Sequence, residues 1–411
     1  MNRDHATKLD QLDPLAGKRD LFVLPKNLIY LDGNSLGALP VAAQQRAAEI
    51  VERQWGQDLV GSWNTHAWID LPVKVGEKIA PLLGAATGQV ICCDSISVNL
   101  FKLLAAALHM QTDRHVVVSQ QDNFPADLYI AEGLGSISAG GSLQLKLVED
   151  GGIEDALDDS VAVLMLTHVN YRSGKIHDMQ RLTRLAHEKG ILVIWDLAHS
   201  AGAVPLALDD CKVDFAVGCG YKYLNGGPGT PAFIYAAQRH QDKIRQPISG
   251  WMGHAAPFAF DTRYRAAQGM RQFLAGTPPI LSMGVLDAAL DVFAGLDMQV
   301  LRNKSVQLGE LFLELANDSG CLAEFELQSP ADSARRGSQL ALGHPQAFAI
   351  CQALIDRGVI ADFRAPDVLR LGFAPLYLRY RDIARSVEIL ADVMAGKSYT
   401  DEKYSKRHKV T

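Results

Sequence analysis

The chain has 411 residues, 48% hydrophobic and 21% charged, which is room for two or three domains of about 150 residues each and excludes disorder, collagen and coiled coil as global descriptions. A net charge of −6, with no basic stretch before the tail, excludes a nucleic-acid surface, which needs clustered Lys and Arg against phosphate. The longest apolar runs, Leu103–Leu108 and Val161–Leu166, fall short of the roughly 20 residues that cross a membrane, and Met1–Pro25 carries charges throughout, so a cytoplasmic protein free of membranes is expected.

Val41–Trp55 reads as a helix opening behind Pro40, because Ala42, Ala43, Ala47, Ile50, Val51 and Trp55 recur at helical spacing. Gly56–Leu71 is rich in Trp, His and Asn and has no periodicity. From residue 89 onward the pattern changes. Short β-rich runs at Val90–Cys92, His115–Ser119, Val161–Thr167, Ile191–Trp195 and Asp214–Val217 alternate with helical stretches such as Asn99–Met110 and Met179–Lys189. That alternation predicts an α/β fold, a mostly parallel sheet covered by helices on both faces. Gly135–Ser142 reads as a flexible turn within this unit. After Pro278–Pro279 the chain turns helical up to Ala316, and short strands near Leu322–Leu327 and Leu369–Phe373 then flank a helix over Gln346–Arg357. The expected organisation is a large α/β domain over 56–295, a smaller α+β domain from 1–55 and 296–396, and a flexible basic tail over 397–411.

The cysteines at 92, 93, 211, 219, 321 and 351 form no C-x-x-C pair and no metal spacing with histidines, so neither disulfides nor a metal site is expected. Cys219 is read as a small buried hydrophobe.

The chemistry concentrates between residues 95 and 222. The run Ile191–Trp195 delivers Asp196 at its carboxyl end, followed by Leu-Ala-His199, and an open α/β sheet places its ligand contacts at such ends. After Asp214–Val217 comes Gly218-Cys-Gly-Tyr221-Lys222-Tyr-Leu-Asn-Gly-Gly-Pro-Gly, a glycine-lined turn whose lysine amine can reach into a cleft. A strand-end carboxylate and a loop lysine are what pyridoxal phosphate requires: the amine closes a Schiff base with the aldehyde, and the carboxylate keeps the pyridine nitrogen protonated. Ser95-Ile96-Ser97 opens a helix suited to the cofactor phosphate, and Phe124-Pro-Ala-Asp127 offers an aromatic face to the ring. His199 is either a structural histidine or a group hydrogen-bonded around the cofactor.

These blocks resemble kynureninase in order and across nearly the whole chain: Tyr30-Leu-Asp-Gly-Asn-Ser-Leu-Gly, Ser97-Val-Asn-Leu, Phe124-Pro-Ala-Asp, Asp196-Leu-Ala-His, Tyr221-Lys222-Tyr-Leu-Asn-Gly-Gly-Pro-Gly, Gly250-Trp-Met-Gly-His and Arg370-Leu-Gly-Phe-Ala-Pro-Leu-Tyr. The resemblance implies a fold-type-I pyridoxal phosphate enzyme of tryptophan catabolism, a homodimer with shared active sites that hydrolyses L-kynurenine, and its 3-hydroxy form, to the anthranilate and L-alanine. It makes Lys222 the Schiff-base lysine, Asp196 the partner of the ring nitrogen and Phe124 the stacking ring, with Ile96, Ser97, Asp127, Thr167, His199 and Tyr221 around the cofactor. Tyr221 is either the proton donor or a phosphate ligand. Trp251 and Thr277 match positions that reach the neighbouring subunit's cofactor. Arg370 matches the arginine that grips the substrate carboxylate, and Asn34, Ser35 and Trp63 fall in the substrate pocket. The alternating run Val368–Phe373 places its apolar residues on one side and Arg370 on the other.

Two other readings compete. A cysteine desulfurase shares the Asp and the Lys but needs a mobile nucleophilic cysteine, and Cys321 and Cys351 sit in apolar or helical settings. Gly33-Asn-Ser35-Leu-Gly37 also matches the G-x-S-x-G elbow of serine hydrolases, although the sheet strands that precede an elbow are missing and Pro40 interrupts the passage into a helix.

Overall fold

The computed structural model describes residues 3–138 and 143–406. Its central sheet has the spatial order Val90–Cys92, Ala232–Ala236, Phe215–Cys219, Leu192–Asp196, Val161–Thr167, Val116–Gln120 and Gln144–Val148. Ala232–Ala236 runs antiparallel to both neighbours, and the remaining pairs are parallel. Helices cover both faces. Leu100, Leu103, Leu104 and Ala131 pack with Val163, Ile194 and Val217 on one side, and Leu182, Ala186 and Leu286 pack with Leu164, Trp195 and Ala216 on the other. Val161–Thr167 and Phe215–Cys219 are buried along their whole length, which is why those runs are continuously apolar and do not alternate.

A second sheet is antiparallel, in the order Glu326–Leu327, Gln339–Gly343, Val368–Gly372 and Asp362–Arg364. Leu308 and Phe312 of the helix Met298–Asp318, Ile350 and Leu354 of Ala347–Asp356, and Ile383 and Val387 of Tyr380–Ala395 share its apolar core. Ile29–Tyr30 pairs in parallel with Val359–Ile360, which carries the following loop, residues 31–38, to this sheet.

Several expectations need correction. Gln144–Val148 and Ala232–Ala236 are further strands of the central sheet. The helix Pro125–Ile137 takes in the first residues of the expected turn Gly135–Ser142, whose residues 139–142 lie outside the described ones. Short helical turns at Leu59–Gly61, Ser62–Thr65 and Trp68–Asp70 occupy the aperiodic segment. Ile50, after the helix Val41–Glu49, fills the space beside Gly284 of the helix Ile280–Ala289. The tail is docked up to residue 404: Tyr399 and Tyr404 are buried, and the Tyr404 hydroxyl donates to Asp356 at 2.6 Å. Residues 407–411 lie outside the described ones.

Candidate active site

The parallel strands end on a common edge, with Thr167 opposite Asp196 and Asp196 opposite Val217. Beyond that edge lies a cavity lined by Ser95, Phe124, Asp127, Thr167, Asp196 and Lys222, and completed by Ile96, Ser97, Tyr171, His199 and Tyr221. Each position has a local cause. Ser95 caps the helix Ile96–Met110, its Oγ accepting from the Val98 amide at 3.4 Å, and the first-turn amides have no intrahelical acceptor. Pro125 occupies the first turn of the next helix, where its missing N–H costs nothing. This sets Phe124 at the cavity mouth, 41% exposed, with Tyr171 edge-on at 5.2 Å. Thr167 Oγ1 donates to Asn123, whose Oδ1 also accepts from the Phe124 amide at 2.8 Å.

At the cavity floor, Lys222 Nζ lies 2.9 Å from His199 Nε2 and 6.0 Å from the Phe124 ring centre. Burial holds the Lys222 amine below its ordinary pKa, although the charge of Asp196 opposes it. Burial also holds His199 well below its ordinary value, so its ring is neutral at pH 7. Asp196 accepts from the Ala198 amide at 2.8 Å, and burial pushes its carboxyl up to about 6 against the pull of Lys222. Burial and the nearby Asp196 raise Asp127 as well. Asp127 Oδ1 and His199 Nδ1 are buried without a hydrogen-bond partner. Natural proteins rarely leave such atoms unpaired, and here they line a cavity that a ligand can enter. The donor set fits pyridoxal phosphate: a helix N-terminus with hydroxyls for phosphate, an aromatic face, a buried carboxylate for the ring nitrogen and an amine for the aldehyde.

A second cluster gathers around Arg370, which is 1% exposed. Its Nε donates to Asp362 Oδ1 at 2.9 Å and its Nη2 to Asp362 Oδ2, while Nη1 donates to the Tyr171 carbonyl. Nη2 also reaches Ser35 Oγ at 2.9 Å, and the Asn34 amide oxygen, turned to satisfy both groups, accepts from Arg370 Nε at 2.8 Å. Tyr171 joins the clusters, its ring against Phe124 and its carbonyl against Arg370. Gly37 joins them as well: its amide donates to the Tyr221 carbonyl at 2.7 Å, and a Cβ there would strike the Lys222 carbonyl.

The structure thus brings together Ile96, Ser97, Phe124, Asp127, Thr167, Asp196, His199, Tyr221 and Lys222 in one cavity, and Asn34, Ser35 and Arg370 in the adjoining cluster. It brings Trp63, Trp251 and Thr277 to neither. Trp63 packs edge-on against Trp68 at 5.7 Å. Trp251 is 42% exposed beside Phe258 and Phe260, and Thr277 is exposed. Arg370 does not leave an apolar face for an open one, because all of Val368–Gly372 is buried. Ser35 Oγ meets Asp362, Arg364 and Arg370 and no histidine among the described residues, so it is not a hydrolase nucleophile. Cys321 and Cys351 are buried, their thiols donating to the carbonyls of Ala316 and Ala361, so neither is the mobile nucleophile that a desulfurase needs. Sequence reading missed Tyr171, Asp32, Asp362 and Arg364. Asp32 lies inside a quoted block, but nothing in the pattern pairs it with a residue 330 positions away.

Comparison with known proteins gives a consistent picture. The family profile "Kynureninase C-terminal domain" matches residues 301–390. A kynureninase of Pseudomonas fluorescens is 47% identical over 414 aligned residues, covering 100% of this chain and 99% of that protein. One of Burkholderia pseudomallei is 48% identical over 415, with the same coverage. Among solved structures, a cysteine desulfurase of Thermococcus onnurineus superposes with a TM-score of 0.76 at 17% identity, over 92% of this chain and 98% of that one. A mutant of C-DES with glycine covalently linked to its PLP cofactor superposes with a TM-score of 0.80 at 15% identity, over 91% and 99%.

Proposed function

The chain belongs to the kynureninase family and is thus a pyridoxal phosphate enzyme that hydrolyses a carbon–carbon bond of L-kynurenine; we propose that the Lys222 cavity is where it does so, with 3-hydroxykynurenine as a second substrate. The observation that carries the assignment is the buried Lys222 amine, 2.9 Å from His199, at a strand edge where the Asp196 carboxylate has one backbone amide as its hydrogen-bond donor.

When bound, the cofactor supplies an electron sink for the carbanion and for the cleaved bond. Asp196 would keep the ring nitrogen protonated, Ile96 and Ser97 would hold the phosphate at the helix N-terminus, and Phe124 would offer its face to the ring. Burial makes Lys222 Nζ less basic, which favours the neutral amine that can take the proton from the substrate Cα. Neutral His199 accepts a hydrogen bond from that amine at its Nε2, which orients the amine, and offers no competing charge. Burial keeps the Tyr221 hydroxyl protonated, so it can return a proton to Cβ as the aryl group departs with water added at its carbonyl. The products are anthranilate and L-alanine.

Trp251 and Thr277 are exposed on their own chain, away from its cavity, and this supports a homodimer in which they serve the partner's site. The six cysteines are free, which supports a reducing, cytoplasmic setting, and among the described residues no helix is long and apolar enough to cross a membrane. One experiment tests site and sharing together. Lys222→Ala and Trp251→Ala should each abolish turnover of kynurenine while the protein stays folded. Mixed one to one and allowed to exchange subunits, they should recover about a quarter of the parent activity, because about half of the dimers are then hybrids and each hybrid holds one intact site and one with both lesions. Turnover by Lys222→Ala near the parent rate would overturn the site, and hybrids without recovery would overturn the sharing.

A further inference from the structure

Arg364 stands two residues from Asp362 on the edge strand Asp362–Arg364, so both side chains leave the same face. Its Nη2 lies 2.8 Å from Asp362 Oδ2 in an ion pair and donates to Ser35 Oγ at 3.2 Å, and its Nη1 donates to the Phe363 carbonyl at 3.1 Å. Arg370 approaches the same Ser35 oxygen from the other side at 2.9 Å. The two guanidiniums differ in what they have left to give. Arg370 is fully buried, with its Nε and both terminal nitrogens engaged by Asp362, Ser35 and the Tyr171 carbonyl. Arg364 keeps 33% of its side chain exposed, and among the described residues its Nε and the second hydrogen of its Nη1 have no acceptor.

The local charge also calls for an anion. Asp362 lies against both arginines, where burial disfavours its carboxylate but Arg370 and Arg364 outweigh that and hold it ionised. Asp32, at the base of the same loop, has a buried Oδ1 without a partner. Burial and the neighbouring Asp362 charge push its carboxyl up to about 7, so near neutral pH it carries its proton for much of the time. Two guanidiniums then face one carboxylate, and the excess positive charge reaches Lys222 and His199, both of which feel Arg364 and Arg370.

We propose that Arg364 is a second ligand of the substrate α-carboxylate, which lodges between the two guanidiniums where the Ser35 hydroxyl now sits. Arg370, fixed by Asp362, is the inner jaw, and Arg364, with its free donors, is the outer one. This rests on the reading of the Lys222 cavity as the kynurenine site.

The test compares the parent, Arg364→Gln and Arg364→Lys, each loaded with pyridoxal phosphate. L-kynurenine is the substrate, and kynuramine, the same skeleton without the carboxylate, is a competing ligand. Arg364→Gln should raise KM for kynurenine by about tenfold or more, the worth of a charge-assisted hydrogen-bond pair. The loss should fall on KM more than on kcat, with the inhibition constant of kynuramine unchanged. Arg364→Lys, which keeps the charge without the fork, should fall between parent and Arg364→Gln. An unchanged KM in either variant would overturn the proposal, as would equal weakening of kynurenine and kynuramine, which would mean that Arg364 shapes the pocket and does not read the carboxylate. If Arg364→Gln fails to fold, Arg364→Lys against both ligands decides on the same criteria. A parent that does not turn over kynurenine overturns the underlying reading, an outcome distinct from any difference between variants.

Discussion

Asp196 and Asp214 are near neighbours in the sheet and almost equally buried, at 3% and 2% exposure, yet they behave in opposite ways. Asp214, before the strand Phe215–Cys219, accepts from the Val193 amide, His187, His240 and Arg239, each at 2.7 to 2.8 Å. Burial alone would raise its pKa, but these bonds outweigh it and hold the carboxyl well below the ordinary range. Asp196, at the carboxyl end of the strand Leu192–Asp196, accepts from one backbone amide and is pushed up to about 6 by burial. The sheet therefore satisfies the buried carboxylate at its amino edge with four donors and the one at its carboxyl edge with a single backbone amide. In the proposed site, the further partner of Asp196 would be the ring nitrogen of the cofactor.

The contrast breaks if the two residues can exchange consequences. The largest effect expected is on the rate of Asp196→Asn, which should lose turnover of kynurenine by a factor on the order of 10² to 10⁴ while its thermal midpoint without cofactor stays level or rises, since an uncompensated buried charge has gone. Steady-state rates beside a melt of the cofactor-free protein would show it, and a rate near the parent's would make Asp196 an ordinary turn residue. Asp214→Asn should do the reverse. Breaking a buried, multiply bonded charge costs about 3–5 kcal/mol, read as a lowered urea midpoint, with kcat of the folded enzyme close to the parent's.

A smaller effect is a pair of opposite pH slopes in the cofactor-free protein. Asp214 has a depressed pKa, so it contributes stability that is present above the ordinary carboxylate range, about pH 4, and is lost as pH falls below it. Asp196 has a raised pKa, so its contribution is greatest below that range and declines as pH climbs toward about 6. Urea midpoints measured from pH 3 to pH 7 should show the acid loss reduced in Asp214→Asn and the decline between the two pKa values flattened in Asp196→Asn. Identical profiles for the two variants would mean that neither carboxyl titrates as its surroundings demand.

How much of this was legible beforehand depends on whether a feature is local. Val161–Thr167 and Phe215–Cys219 announced themselves because a strand buried on both faces is a run of apolar residues. Gln144–Val148 escaped because it is an edge strand interrupted by Lys146, and Ala232–Ala236 because five apolar residues after a glycine-rich turn have no period to read. Asp196, Lys222, Ser97 and Phe124 were legible because each lies at a strand end, a helix start or a glycine-lined turn, whereas Thr167 and Tyr221 were named only through the resemblance to kynureninase. Of the arginine cluster, Arg370, Asn34 and Ser35 were named through the same resemblance, and Asp32, Asp362 and Arg364 were not legible. Asp362 faces Arg370 through strand register, and Asp32 reaches them through a bridge between Asp32 and Gly372, neither of which has a signature within its own segment. The tail was misread for a related reason: charge was counted, while the docking of Tyr399 and Tyr404 depends on a helix that ends more than 40 residues earlier, at Asp356.

The bridge from loop 31–38 to the strand Val368–Gly372 fixes an order in time as well as in space. Every side chain lining the Lys222 cavity has been made once the chain reaches Ala232, and Ala232–Ala236 closes the sheet around it. The arginine seat has by then only its first half, Asp32 to Ser35, and waits for Asp362, Arg364 and Arg370. A chain leaving the ribosome thus passes through a span of more than 100 residues in which it carries its own side chains that line the Lys222 cavity and lacks both arginines of the adjoining cluster.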